Sequence, residues 1–248
     1  MIDNSIPSGL LTLPILRRVP GLRHGFTTRL SGTGRLEGEA LARRIGLGRF
    51  PPVPLTQVHG DQIVVVREKS PRSPQTEADA VATDLRRTLL LIRTADCVPI
   101  LLVDPDHGAI AACHAGWRGI SLGIARIGVE TLVREFRSAP ARILAGIGPA
   151  IGECCYQVGE EVRESFHSNG QEPAEGEFLE DRDGRLRLNL RLAVVRQLRQ
   201  AGVPGDRIQS LGLCTACHPD WFYSRRRDGA GPDRLHAFLA WESGSGYP

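Results

Sequence analysis

The chain lacks any run near the roughly 18 apolar residues that a membrane-spanning helix requires. Its early apolar piece, Leu10–Leu16, also lacks a basic stretch ahead of it; Asp3 precedes it and Arg17 and Arg18 follow, the reverse of a secretory signal. Cysteine is sparse, six in 248 residues with Cys154 and Cys155 adjacent, so a disulfide framework is not indicated. These absences lead us to expect a soluble, cytoplasmic protein with reduced thiols and no membrane partner. Neither charge sign dominates: a net charge of +3 is too weak to argue for nucleic acid and suits anionic small substrates as well. No GxGxxG follows a strand and no GxxxxGK[ST] occurs, which argues against a dinucleotide fold and a P-loop. Repeats and long linkers are missing too, so residues 1–248 read as one catalytic domain.

What is present centres on Thr94–Gly119. Two apolar runs, Val98–Val103 and Ala109–Ala112, flank a loop of Asp104, Pro105, Asp106, His107 and Gly108, the pattern of two buried strands about a turn. An antiparallel register that sets Val103 beside Gly108 sets Cys97 opposite His114. Opposed residues share a face about 4.5–5.5 Å apart, close enough for a thiolate and an imidazole to reach one metal.

Strands are expected at Leu10–Ile15, Asp79–Thr83, Leu89–Ile92, Ile143–Ile147, Ile208–Leu213 and Leu235–Trp241. Leu55–Val58 and Gln62–Val66 read as a hairpin broken by His59, Gly60 and Asp61. The apolar spacing predicts helices over Arg35–Leu47, Gly119–Phe136, Val158–Phe166 and Leu190–Ala201. Glu68–Gln75 reads as a polar loop, Asn169–Arg185 as a polar insertion or lid, and the end of the chain as a frayed tail. Interspersed strands and helices with two hairpins give an α/β fold with mixed sheets.

His59, Cys97 and His114 are the candidate catalytic set. Three protein ligands that leave a fourth position open are the pattern of a catalytic metal. A cysteine nucleophile activated by histidine fits the same residues, and so does the plain alternative of a buried thiol beside a core histidine. The run from His114 to Gly119 enters a helix whose start, with Arg118, suits an anion. Gly146–Gly152 with Cys154 and Cys155 reads as a tight loop with a buried thiol. Cys214–Thr215–Ala216–Cys217–His218 has the haem-attachment spacing, but without an export signal haem is not expected, and a zinc ribbon needs a second CxxC that the sequence lacks. Three aromatics, Trp221, Phe222 and Tyr223, precede Arg225, Arg226 and Arg227. Aromatic faces and guanidinium forks suit a nucleobase and a phosphate, or single-stranded nucleic acid.

These residues together resemble the YfiH-like family, also labelled laccase-domain or multicopper polyphenol oxidase proteins and purine nucleoside phosphorylases. The shared runs are HGFTTRLSG (24–32), QVHGD (57–61), EADAVAT (77–83), TADCVPILLVD (94–104), AACHAGWRG (111–119), GIGPAIGECCYQVG (146–159) and the block from Cys214 to Gly229. The resemblance implies a four-layer α/β/β/α sandwich and a Zn²⁺ site of His59, Cys97 and His114. It implies phosphorolysis of purine nucleosides (adenosine, inosine, guanosine, methylthioadenosine) with an accompanying adenosine deaminase activity. Purine nucleoside and phosphate are then the partners, with Arg29, Gln57, Arg118, Arg226 and Arg227 as substrate- or phosphate-binding residues and Asp96 orienting a ligand or moving a proton. The older label implies copper and phenol oxidation, for which seven scattered histidines are few. A cysteine amidase editing peptidoglycan precursors, with Cys97 as nucleophile, is the alternative within the family. The chain departs from the family pattern at Arg225, in place of Tyr, and at Asp233, in place of Gly. The H-x-E signature of zinc deaminases is missing.

Overall fold

The computed structural model of the protein describes residues 9–68 and 76–242. Residues 69–75 of the loop expected at Glu68–Gln75 and the tail beyond 242 lie outside the described residues. The strands are β1 (Leu10–Leu11), β2 (Leu22–Thr27), β3 (Leu55–Thr56), β4 (Ile63–Val66), β5 (Thr76–Glu77), β6 (Ala80–Thr83), β7 (Leu90–Thr94), β8 (Val98–Asp104), β9 (Ala109–Ala115), β10 (Leu144–Ile147), β11 (Phe178–Glu180), β12 (Leu186–Leu188), β13 (Ile208–Ser210) and β14 (Leu235–Trp241). The helices are α1 (Pro14–Arg17), α2 (Gly38–Arg44), α3 (Trp117–Leu122), α4 (Ile124–Phe136), α5 (Glu160–Ser168), α6 (Leu190–Gln200) and α7 (Arg225–Asp228).

Two sheets carry the fold. One is mixed, in the order β13-β10-β8-β9-β6-β4, with β13–β10 and β4–β6 parallel. The other is antiparallel, β1-β2-β14-β7. Side chains alternate between faces along a strand, and β8 and β14 show what that does here. Leu101 and Val103 of β8 meet Leu235, Ala237, Leu239 and Trp241 of β14 in a core between the sheets. Ile100 and Leu102 point the other way, into a core with Ile124, Val129 and Leu132 of α4 and Val194 and Leu198 of α6. Phe238 and Ala240, on the outer face of β14, pack with Leu41 and Ala42 of α2. The result is the expected four-layer α/β/β/α sandwich. It also explains why β8, β9 and β14 are buried throughout and almost wholly apolar: both of their faces are covered.

Several local expectations are corrected. The first strand stops at Leu11 because Pro14 begins α1. The long helix predicted over 119–136 is two helices, α3 and α4, divided at Gly123, whose φ of 92° a side chain rarely adopts. The expected hairpin at His59 does not form: β3 pairs with β5 and β4 with β6, both in parallel. The β8–β9 register is shifted by two residues, with Pro99 opposite His114 and Asp104 opposite Ala109. Asp104 extends β8 and its carboxylate accepts the amides of Asp106 (3.0 Å) and His107 (3.4 Å), closing a four-residue turn that lies one position further along the chain than expected. Asn169–Arg185 is the polar insertion expected, mostly exposed but anchored at the buried Gln171 and Glu177. Within it, the wholly buried Glu177 carboxylate forks onto Arg196 of α6 at 2.5 and 3.2 Å.

Candidate active site

The site lies at one end of the mixed sheet, where β8 begins and β9 ends. Asp79, the residue before β6, organises it. Its buried carboxylate accepts the amides of Val58 (3.1 Å), His59 (3.0 Å) and Gly60 (2.7 Å), and pairs with His114 Nδ1 at 2.7 Å. An ionised carboxylate only accepts, so Nδ1 of His114 carries a proton and Nε2 is turned to the other side. The three amides hold His59 in a left-handed turn, φ 62°, that aims its ring at His114 with centroids 4.9 Å apart. The ligand atoms of His59, Cys97 and His114 all lie within 4.8 Å of one another. His114 is buried, Cys97 half-buried and His59 exposed, so the group opens to solvent on the His59 side. The two-residue register shift leaves Cys97 and His114 on a common side, because a strand's side chains repeat every second residue.

Room at this point depends on Gly116. A Cβ there would come within 3.1 Å of Cys97 Sγ and 3.2 Å of His59 Cδ2. At Gly119 a Cβ would meet the Gly60 carbonyl at 2.8 Å, so a bare backbone lets α3 pack on the His59 turn.

The charges are strongly coupled. Burial pushes the Cys97 thiol up, but His114 and then His59 outweigh it and bring the pKa down to about 6. Burial pushes His114 down, but the Cys97 thiolate and the Asp79 carboxylate carry it up to about 9. Asp79 is raised by burial and, more strongly, lowered by its hydrogen bonds to His114 and the backbone amides. Without a metal the group is therefore a thiolate beside an imidazolium; with one, it offers three electron-pair donors.

Asp96 forms the adjoining wall. Its φ of 97° is in the left-handed region, and its carboxylate accepts from Thr215 Oγ1 (2.6 Å) and from the Arg226 amide (2.7 Å). Asp96 thus positions the arginine segment rather than facing open space. The Arg226 guanidinium lies 5.0 Å from the Tyr156 ring centre and donates to the Gln157 carbonyl at 2.7 Å.

The other predicted binding residues are placed differently. Arg227 donates to the carbonyls of Thr215, Ala216 and Phe222 at 2.9, 3.1 and 2.7 Å and pairs with Asp228, so its donors brace the loop. Gln57 bonds the Arg93 backbone on both sides, at 2.9 and 2.8 Å, and lines a separate 310 Å³ cleft with Glu37, Val53 and His236. Arg29 lies over Tyr223 at 4.5 Å and 3.5 Å from Asp228, facing a 160 Å³ cleft that Ala95, Arg225 and Arg234 also line. Arg118 is exposed and stacks on Trp117 at 4.5 Å, on an α3 of only six residues. Cys154 is exposed and Cys155 half-buried, against the expectation of a buried thiol.

Residues 36–241 match the family described as multi-copper polyphenol oxidoreductase laccase. The chain belongs to this family. Curated relatives in it are named purine nucleoside phosphorylase. That of Deinococcus radiodurans is 38% identical over 92% of this chain and 92% of its own length. That of Xylella fastidiosa is 32% identical over 95% and 93%. A Bacteroides thetaiotaomicron relative of the same name is 38% identical over 63% of this chain, and the match spans 58% of that protein's length. Among solved structures, Bacillus licheniformis hypothetical protein YfiH superposes with a TM-score of 0.82 at 27% identity, covering 97% of this chain and all of that one. YlmD from Geobacillus stearothermophilus gives 0.80 at 30% identity, covering 95% and 97%.

The sequence reading did not single out Asp79, Tyr156 or Thr215. Asp79 had one signal, a single carboxylate inside the otherwise small and apolar ADAVA run.

Proposed function

We propose that the protein is a zinc-dependent purine nucleoside phosphorylase whose metal ligands are His59, Cys97 and His114, with adenosine deamination at the same site. The observation that carries this reading is the convergence of one thiol and two imidazoles with an open side. The donor set fits the metal: a soft thiolate and neutral imidazoles suit zinc, Asp79 orients His114 as second ligand shells do, and Gly116 leaves the space clear. Bound there, zinc would supply a Lewis acid and a strong local positive charge.

In phosphorolysis a phosphate oxygen bonds to the ribose anomeric carbon as the bond from that carbon to the base nitrogen breaks. The base leaves with the bonding pair and takes up a proton. The chain's part is positioning. Arg226 offers a cation held in place through Asp96, and Arg29 a second at the neighbouring cleft; both suit phosphate. Tyr156 and Trp117 supply aromatic faces for a purine. Copper chemistry of the multicopper kind has less support, since the candidate metal groups among the described residues contain two histidines in all.

The test is incubation of inosine with phosphate. Hypoxanthine and ribose 1-phosphate should form in a one-to-one ratio, and His114→Ala should abolish both while remaining folded. The Cys97 and His114 pKa values favour one rival, a cysteine hydrolase working through a thiolate–imidazolium pair. A metal-free protein that cleaves amides, loses that activity on alkylation of Cys97 and ignores inosine would replace the phosphorylase reading.

A further inference from the structure

Outside the active site, a second set of metal-ligating side chains comes together from two distant stretches. Cys154 and Cys155 lie in the turn after β10, and Cys214 and Cys217 in the loop after β13. We propose that these four cysteines hold a structural zinc ion.

Their sulfur atoms all lie within 4.8 Å of one another, with Cys217 Sγ 3.5 Å from Cys154 Sγ and 3.4 Å from Cys155 Sγ. A tetrahedral zinc with bonds near 2.3 Å needs sulfurs about 3.8 Å apart, so small movements close the shell. The CxxC segment lacks a second CxxC in sequence; the adjacent pair Cys154–Cys155 takes its place in space. Four thiols leave no open position, which marks the site as structural. Four sulfurs in tetrahedral reach take zinc or a single iron; zinc needs no redox partner and is the assignment.

The surroundings suit a charged thiolate centre. The Gly152 amide donates to Cys214 Sγ at 3.2 Å, and the Cys217 amide faces the same sulfur. A Cβ on Gly152 would lie 3.1 Å from Cys154 Sγ and 3.3 Å from Cys214 Cβ, so a side chain there would press on the cysteine group. Four thiolates and one zinc carry a net double negative charge, and two guanidiniums, each also paired with a carboxylate (Arg187 with Asp181, Arg227 with Asp228), donate to the loops that carry the sulfurs. Arg187 donates to the Cys154 carbonyl at 2.7 Å, and Arg227 to the carbonyls of Thr215 and Ala216. The loops are also in register: Ala150 bridges Cys214, with the Ala150 amide on Leu213 O at 3.2 Å and the Thr215 amide on Ala150 O at 3.1 Å.

The same two loops bear Tyr156, Gln157 and Thr215, and the second leads into α7 with Arg226. The zinc therefore clamps the wall that holds Arg226 on Asp96, the residue before Cys97, without touching a substrate.

The test measures metal in the full chain, produced with zinc and purified under reducing conditions. Wild type should hold two zinc ions per chain and Cys154→Ser/Cys217→Ser one. His59→Ala/Cys97→Ala, which removes the active-site ligands, should also hold one. Cobalt added to metal-free His59→Ala/Cys97→Ala should give the intense near-ultraviolet thiolate bands of a tetrahedral four-sulfur site. Should the cysteine variant fail to fold, zinc X-ray absorption on wild type decides: five sulfurs shared by two zinc ions support the site, and one sulfur per zinc overturns it. The proposal also falls if His59→Ala/Cys97→Ala takes up no metal, if these cysteines are isolated as disulfides under reducing conditions, or if iron occupies them. Loss of inosine cleavage does not bear on this site, and failure of this site leaves the phosphorylase reading standing.

Discussion

The His59–Cys97–His114 group and the four-cysteine group contrast in how the chain supports them. The first is mixed in donor type and fixed from behind by one buried carboxylate, with one side left open. The second is all thiol and is held at the meeting of two loops that pair through their backbones. A supported set with an open face can act on a substrate, whereas a closed set can only join segments. The contrast extends to the thiols: neighbouring imidazoles draw the Cys97 pKa down to about 6, while burial and then the Cys217 thiol push Cys155 up to about 11.

The sharpest way to break this contrast is alkylation of metal-free, reduced protein. Cys97 should react with iodoacetamide at pH 7 on the order of 100-fold faster than Cys155. Its far larger thiolate fraction is partly offset by the lower nucleophilicity of a low-pKa thiolate. Acid protonates Cys97, so its rate should fall as pH drops through about 6. Mass spectrometry of timed digests reads both sites, and equal rates would remove the electrostatic difference.

Next comes the carboxylate behind the active site. Asp79→Asn replaces an acceptor of four hydrogen bonds with an amide that must turn N–H groups toward existing donors. Inosine phosphorolysis should fall by about 10- to 100-fold, as for lost outer-shell support. Metal analysis should show the four-cysteine zinc retained, because Asp79 touches only the first group. The smallest effect expected is that of Gly116→Ala. Backbone φ is −76° there and permits alanine, but contacts of 3.1 and 3.2 Å require Cys97 and His59 to give slightly. Zinc affinity should weaken several-fold with the melting temperature unchanged, as measured by chelator competition.

Much of the first group was legible in the sequence because its residues sit at the ends of apolar runs. A register shift of two does not turn a side chain to the other face, so the Cys97–His114 pairing survived an inaccurate turn. The His59 hairpin did not survive: β3 is two residues long, and it pairs past β4 with β5 at Thr76–Glu77. The four-cysteine group was illegible because nothing in the local pattern of Cys154–Cys155 points to Cys214 some sixty residues later. The split at Gly123 was hidden because the apolar face runs on across it. The layering was more legible, since strands apolar at nearly every position need cover on both faces.

The place of β14 bears on the order in which the molecule can assemble. This strand is made after both β2 and β7 yet lies between them. Until Leu235–Trp241 leaves the ribosome, β2 and β7 have no partner between them, and the inter-sheet face of β8 and β9 waits uncovered. The mixed sheet and the candidate site at its end can form first, but the nascent chain exposes apolar strand faces until β14 follows. Chaperone capture should therefore concentrate in that interval.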